Sequence, residues 1–281
     1  MFSGSTGYMS LATAAFLGIG IYTSAFLFSK EWALLPLPAV IVIGGLVSFI
    51  LALLVGLVTL RLKGIYFAIF TFGLVVLIRQ LLVFWELQII GIRGQHVIPV
   101  SGETVYYVML GIAVATLLAV YFIRRSKLGL AMQSIGGNEE AAAHMGINTT
   151  MVKVIAFAIS AFFMGAAGAI MGPSWIYVDP TVAFDIFYSF MPVLMAVFGG
   201  MGQLYGPVVG AAVFAYTERA LRLQFSYYYM LAFGIILIIV ILYLPGGLVG
   251  LIPKLWDRRN RLRGLISKLW KGGKAEQRAN T

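Results

Sequence analysis

Apolar positions run through this chain in long unbroken blocks, and polar positions are pushed to the block ends. A helix needs about twenty apolar residues to cross the hydrocarbon core of a bilayer. The blocks at about 9–28, 34–60, 64–84, 104–123, 152–171 and 186–197 each predict such a helix. Apolar sequence resumes after Pro207 as far as Leu221, and a last block covers 227–244. The pattern predicts an all-α polytopic membrane protein of about eight transmembrane helices in one domain over residues 1–251. Residues 252–281 follow as a basic tail.

The exceptions to the pattern carry the information. One polar island, Arg124 to Lys153, separates two apolar blocks, with a connecting loop over 124–152. Asn138 is a good N-cap, and Glu139 and Glu140 put negative charge in the first turn, where the helix dipole favours it. Ala141, Ala142 and Ala143 are strong helix formers, and Gly146 supplies a left-handed stop. The island therefore predicts a helix of about two turns, too short to stand alone in water. Something on one or both of its faces has to hold it.

A second exception is the run Gly199 to Pro207, whose four glycines and proline interrupt an apolar stretch. It predicts either a tight cytosolic turn or a break inside the bilayer; the latter needs cover from protein or water. In the block at 152–171, Ala161, Gly165, Gly168 and Gly172 recur every three or four residues, a flat face for close helix contact. Arg79 and Glu86 lie seven residues apart at one helix end, and the expectation is that they pair or reach headgroups, the alternative being a polar group in a translocation path. A charge left at bilayer depth costs about 2.5–3.5 kcal/mol or more. Two longer connections, 85–103 with Arg93, Gly94, His96 and Pro99, and 173–185 with Trp175, Tyr177, Asp179 and Pro180, read as outside loops.

Composition agrees: 61% of residues are hydrophobic and 11% charged, with a formal net charge of +10. That charge has a one-sided distribution. Arg61, Lys63, Arg124, Arg125, Lys127, Lys153 and nine tail residues fall on one side, against Lys30, Arg79, Arg93, Arg219 and Arg222 on the other. This is the positive-inside bias of an inner or plasma membrane protein with both termini in the cytosol. It accounts for the basicity without nucleic acid. In the tail Leu262, Leu265, Ile266, Leu269 and Trp270 keep helical spacing among Arg263, Lys268 and Lys271, the signature of an interfacial helix on anionic lipid. No cleavable signal peptide is visible in residues 2–8.

Chemistry is sparse. With no cysteine and two histidines, His96 and His144, the sequence offers no metal site and no cofactor. The one Gly-Lys pair, Gly273-Lys274, lacks the spacing of a phosphate loop. The acidic residues form no catalytic constellation, so the chain is not expected to be an enzyme. Ser10, Thr13, Tyr66 and Thr71 are candidate polar groups along a substrate path, and serve equally well as hydrogen-bonding groups between helices.

Five runs in order resemble one family. They are Gly7–Leu27, Leu60–Gly73, the stretch SKLGLAMQSIGGNEEAAAHMGINTT (residues 126–150) with its following helix, Phe198–Ala211 and Tyr243–Leu251. Together they resemble the permeases of branched-chain amino-acid ATP-binding-cassette (ABC) importers, of the LivM-like type. The resemblance implies a second, homologous permease and two cytosolic ATPase subunits that bind the ATP. It also implies a periplasmic or lipid-anchored solute-binding protein. Asn138, Glu139, Ala141, Ala142, Gly146 and Ile147 match the family's coupling signature and would contact the ATPase. The chain departs from the pattern at Gly136-Gly137, where members often carry a basic and an acidic residue. Members also usually have a further helix before the Gly7 run, so the expectation is a truncated or short member. Alternatives are a urea or short-amide permease of the same family and an ATP-independent secondary carrier.

Overall fold

The computed structural model describes residues 2–28, 35–224, 234, 235 and 247. Its helices are α1 (Phe2–Thr6), α2 (Thr13–Leu27), α3 (Leu37–Thr59), α4 (Ile65–Trp85), α5 (Gly102–Arg125), α6 (Lys127–Gly137), α7 (Glu139–His144), α8 (Thr149–Met171), α9 (Pro180–Ala183), α10 (Phe187–Gly199) and α11 (Gly206–Gln224). A π turn, Glu86–Ile90, extends α4, and a 3-10 turn, Gly172–Ser174, extends α8. Strands β1 (Gln95–His96) and β2 (Tyr177–Val178) pair as a two-residue ribbon.

Five helical stretches are long and apolar enough to cross a membrane: Leu37–Thr59, Ile65–Ile90, Gly102–Arg125, Thr149–Ser174 and Pro180–Gly199. The all-α membrane reading stands, but the described residues do not reach eight spans. The expected span at 227–244 and the tail at 252–281 lie outside the described residues, apart from Gly234 and Ile235. The first block is not one helix either. Gly7 takes a left-handed φ of 74° and the chain runs irregularly to Ala12 before α2 begins. The 15 residues of α2 reach only about 22 Å. Backbone groups of this break find partners: the Leu11 amide donates to Thr71 Oγ1 at 3.1 Å, and the Gly7 amide to Ser3 O at 3.1 Å.

Two compact units divide within α10, residues 1–193 and 194–281. The first is built on α2, α3 and α8, whose small residues bring backbones into contact. A Cβ on Gly20 would sit 2.0 Å from the Gly165 carbonyl oxygen, and one on Gly168 2.0 Å from that of Leu17. Ser48 Oγ donates to Phe16 O at 3.0 Å across the same seam. The face anticipated from Ala161, Gly165, Gly168 and Gly172 is thus a packing face. By contrast α5 has no buried residue.

At one end of this unit, called here the ribbon side, the two long loops meet. Gln95 pairs with Val178 and His96 with Tyr177, and Arg93 Nε donates to Asp179 Oδ2 at 2.8 Å. Glu86 is fully buried beneath them, accepting from Tyr22 Oη at 3.0 Å and from the Gly94 amide at 3.0 Å. The expected Arg79–Glu86 pair is therefore not made. Both carboxylate oxygens are taken by other donors, and Arg79 Nε is buried with no hydrogen-bond partner among the described residues.

In the second unit, the end of α10 and α11 form a hairpin through residues 200–205. Their backbones touch: a Cβ on Gly210 would lie 2.1 Å from Met195 O, and one on Gly199 1.8 Å from Gly206 O. The glycine-rich run is thus a turn between two helices in contact.

Candidate functional site

The opposite end of the first unit is built around α7. The chain arrives through α5, and a tight corner turns it into α6. Ser126 caps α6, accepting from the Gly129 amide at 3.4 Å, and a Cβ on Gly129 would lie 2.2 Å from Ile123 O. Helix α6, a regular element within the predicted loop, runs under α1: a Cβ on Gly136 would lie 2.4 Å from Ser5 O. The missing side chain at Gly136 is what lets α1 approach, whereas nothing lies within 4 Å of a Cβ on Gly137.

Asn138 then caps α7 as the sequence predicts. Its Oδ1 accepts from the Glu140 amide at 3.0 Å and the Ala141 amide at 3.1 Å. Gly146, with φ 83°, ends the turn. The Ile147 amide closes it on Ala142 O at 3.2 Å, and Asn148 Oδ1 caps α8 by accepting from the Met151 amide at 3.1 Å. Two helices are thus punctuated within about a dozen residues, each N-terminus carrying a side-chain cap.

The two faces of α7 differ. On one, Ala142 is fully buried and the Glu139 carboxylate is committed on both oxygens. Lys153 Nζ donates to Oε1 at 2.6 Å, and the Tyr8 hydroxyl donates to Oε2 in a very short contact. Lys153, a charge one turn inside an apolar helix, is 2% exposed and sits 4.6 Å over the Tyr8 ring. The anion, the hydroxyl and the ring face together offset the cost of burying its ammonium. Burial alone would raise the Glu139 pKa, but the hydrogen bonds from Lys153 and Tyr8 and the charges of Lys153 and Lys63 hold it below the usual range. Burial, then the bond to Glu139 and its negative charge, push the Tyr8 phenol up. On the other face Glu140, Ala141, Ala143, His144 and Met145 are exposed. Glu140 makes only a surface pair with Lys63 at 3.5 Å, of a kind worth little.

The predicted coupling residues thus do not all point one way. Asn138, Ala141 and Gly146 are exposed, Glu139 and Ile147 are partly buried, and Ala142 faces the chain's own interior. The substrate-path candidates scatter too. Thr71 is buried, donating to Ala68 O while it accepts from Leu11, and Ser10 Oγ accepts from the Ala12 amide at 3.3 Å. Thr13 opens α2, and Tyr66 is 74% exposed. Tyr8, Lys153 and α6 are absent from the sequence-derived site. The legible signal was Lys153 itself, a lysine inside an apolar helix with an obligation to find an anion. Among the described residues no cluster of His, Asp and Glu could hold a metal ion.

Residues 1–242 match the family model described as branched-chain amino acid transport system / permease component. The chain belongs to that family. It is 30% identical to the high-affinity branched-chain amino acid transport system permease protein LivM of Salmonella typhimurium, across 88% of this chain and 64% of that one. It is 28% identical to the LivM protein of Escherichia coli over the same shares. A shorter match, 28% identical across 44% of this chain and 41% of the relative, is to the ribose import permease protein RbsC of Haemophilus influenzae. The chain therefore spans about 64% of the length of the LivM relatives. No solved structure matches it. The family and the apolar helices together make this a multi-pass membrane protein.

Proposed function

We propose that this chain is a permease subunit of an ATP-driven importer of branched-chain or related amino acids. In this reading α7 is the element that receives the ATPase. The observation that carries the reading is the two-sidedness of α7. One face is bonded into the membrane helices through Glu139, and the other presents small and polar side chains that are exposed among the described residues. A helix of six residues is unstable alone, so an exposed, fully capped one suits a partner's groove. ATP would be bound and hydrolysed by two separate cytosolic subunits, with this chain contributing no catalytic residue and no cofactor. A second permease would complete the pathway, and a solute-binding protein would deliver substrate on the ribbon side. That orientation puts α7 in the cytosol of a plasma or inner membrane protein, in line with the positive-inside distribution. Branched-chain amino acids are named for both LivM relatives, which favours them over the ribose named for the shorter match.

The test uses the exposed face. Ala141→Glu and Ala143→Glu should leave membrane insertion intact and lower co-purification of the ATPase subunits by roughly tenfold or more, the effect of a lost hot spot. Undiminished co-purification for both would defeat the docking role. Uptake of labelled leucine by the whole complex in proteoliposomes, dependent on internal ATP, tests the transport itself.

A further inference from the structure

We propose that Tyr8, Glu139 and Lys153 form the joint that hands movement of α7 to α8 and to the break between α1 and α2. The inference rests on the reading of α7 as the docking element and names the residues that make docking matter. Three observations carry it.

First, α7 is tied to α8 along the chain only through residues 145–148, which include the left-handed Gly146. A link of that kind can absorb a displacement instead of passing it on. Second, the side-chain link cannot absorb one. Both Glu139 oxygens are engaged, by donors from two different elements, and Lys153 is sealed at 2% exposure. Moving α7 away without them would strand a buried ammonium, which carries a large desolvation penalty. Third, each donor is attached to something larger. Lys153 belongs to α8, which is in backbone contact with α2 at Gly165 and Gly168. The Tyr8 ring packs edge-on against Phe67 at 5.8 Å, and Phe67 in turn against Phe157 of α8 at 5.9 Å. Three residues beyond Tyr8, the Leu11 amide is held by Thr71 of α4. A pull on Glu139 therefore reaches α8 by an ion pair and the start of α2 by a phenol. Glu139 and Lys153 are positioning residues in this scheme, acting on the pathway through the helices they join.

The chain has no cysteine, so one can be introduced as a probe. Met9 lies in the break and is 45% exposed. Met9→Cys would be placed in the complete complex with its ATPase and partner permease, in lipid nanodiscs. Its labelling rate by a charged maleimide would be measured with and without ATP plus vanadate. We expect the Met9→Cys complex to change its rate on nucleotide trapping. Adding Glu139→Gln with Lys153→Met, a neutral pair of similar shape, should cut that response roughly two- to thirtyfold, the range of coupling effects, in complexes matched for bound ATPase and for ATP hydrolysis. Tyr8→Phe, which keeps the ring and the ion pair, should cut it partially. A full response in the neutral pair would overturn the joint. So would an unchanged response in Tyr8→Phe beside a neutral pair that fails to assemble, because that combination assigns the cluster to folding. An assembled, hydrolysing Met9→Cys complex with no nucleotide response also counts against it. Failure of the ATPase subunits to join even that complex sinks the importer reading instead.

Discussion

The carbonyl oxygen of Gly165 occupies the place where a side chain on Gly20 would begin, 2.0 Å from its Cβ position. Gly165 is equally enclosed, with Ser48 Oγ 2.2 Å and Gly44 O 2.6 Å from its own Cβ position. Gly20→Ala or Gly165→Ala must therefore push neighbouring helices apart, at a cost of about 1–3 kcal/mol. Gly111→Ala on α5, where nothing lies within 4 Å, should be neutral or slightly stabilising. Thermal unfolding in detergent would show the contrast, and equal melting of all three variants would contradict the seam.

Glu86 holds the ribbon side to α2 through two donors, the Tyr22 hydroxyl and the Gly94 amide. Glu86→Ala leaves the Tyr22 hydroxyl and the Gly94 amide without their acceptor, each buried loss costing roughly 1–3 kcal/mol. Glu86→Gln keeps one acceptor and should be milder. The expected readout is faster proteolysis at residues 91–98 in the alanine variant, intermediate in the glutamine variant.

Asn138→Ala removes the acceptor for two amides of α7 and should loosen that helix by about 1 kcal/mol, whereas Asn138→Asp keeps the cap. Hydrogen exchange of residues 139–146 would report it, with protection falling severalfold in the alanine variant alone.

The depressed Glu139 pKa sets a pH dependence. A carboxylate whose pKa is lowered on folding adds stability that is complete above its ordinary value, here 4.5, and is lost as pH falls through the lowered one. Exchange protection of α7 should accordingly be flat from neutral pH down to about 4.5 and decline only below it. In Glu139→Gln the acid-side decline should disappear. A decline centred near neutrality would contradict the Lys153 pairing.

Much of this was legible in the sequence for local reasons. Asn138 and Gly146 punctuate a helix through their own backbone chemistry, and the spacing of Gly165 and Gly168 declares a packing face. What stayed hidden is tertiary. Tyr8 and Lys153 stand 145 residues apart, and no local rule links them. The pairing of β1 with β2 joins two loops that read as unrelated in isolation. Arg79 and Glu86 show the converse, a spacing argument that pointed to a pair while Tyr22 and Gly94 claimed the carboxylate first. Phe2–Thr6 is too short for periodicity to register. Helix α6 was masked by glycines at 129, 136 and 137, which lower intrinsic helicity, yet two of them, Gly129 and Gly136, are placed where neighbouring backbone comes close.

The contact between the α10 and α11 backbones restricts what that hairpin can do. If α11 slipped by one residue against its neighbour, the methyl of Ala211 or the branched carbon of Val209 would enter the space now left by Gly210 beside the Met195 carbonyl. Lengthwise sliding between the two arms is blocked in both directions. Any displacement there has to carry both arms together, like a folded ruler turned about its closed end.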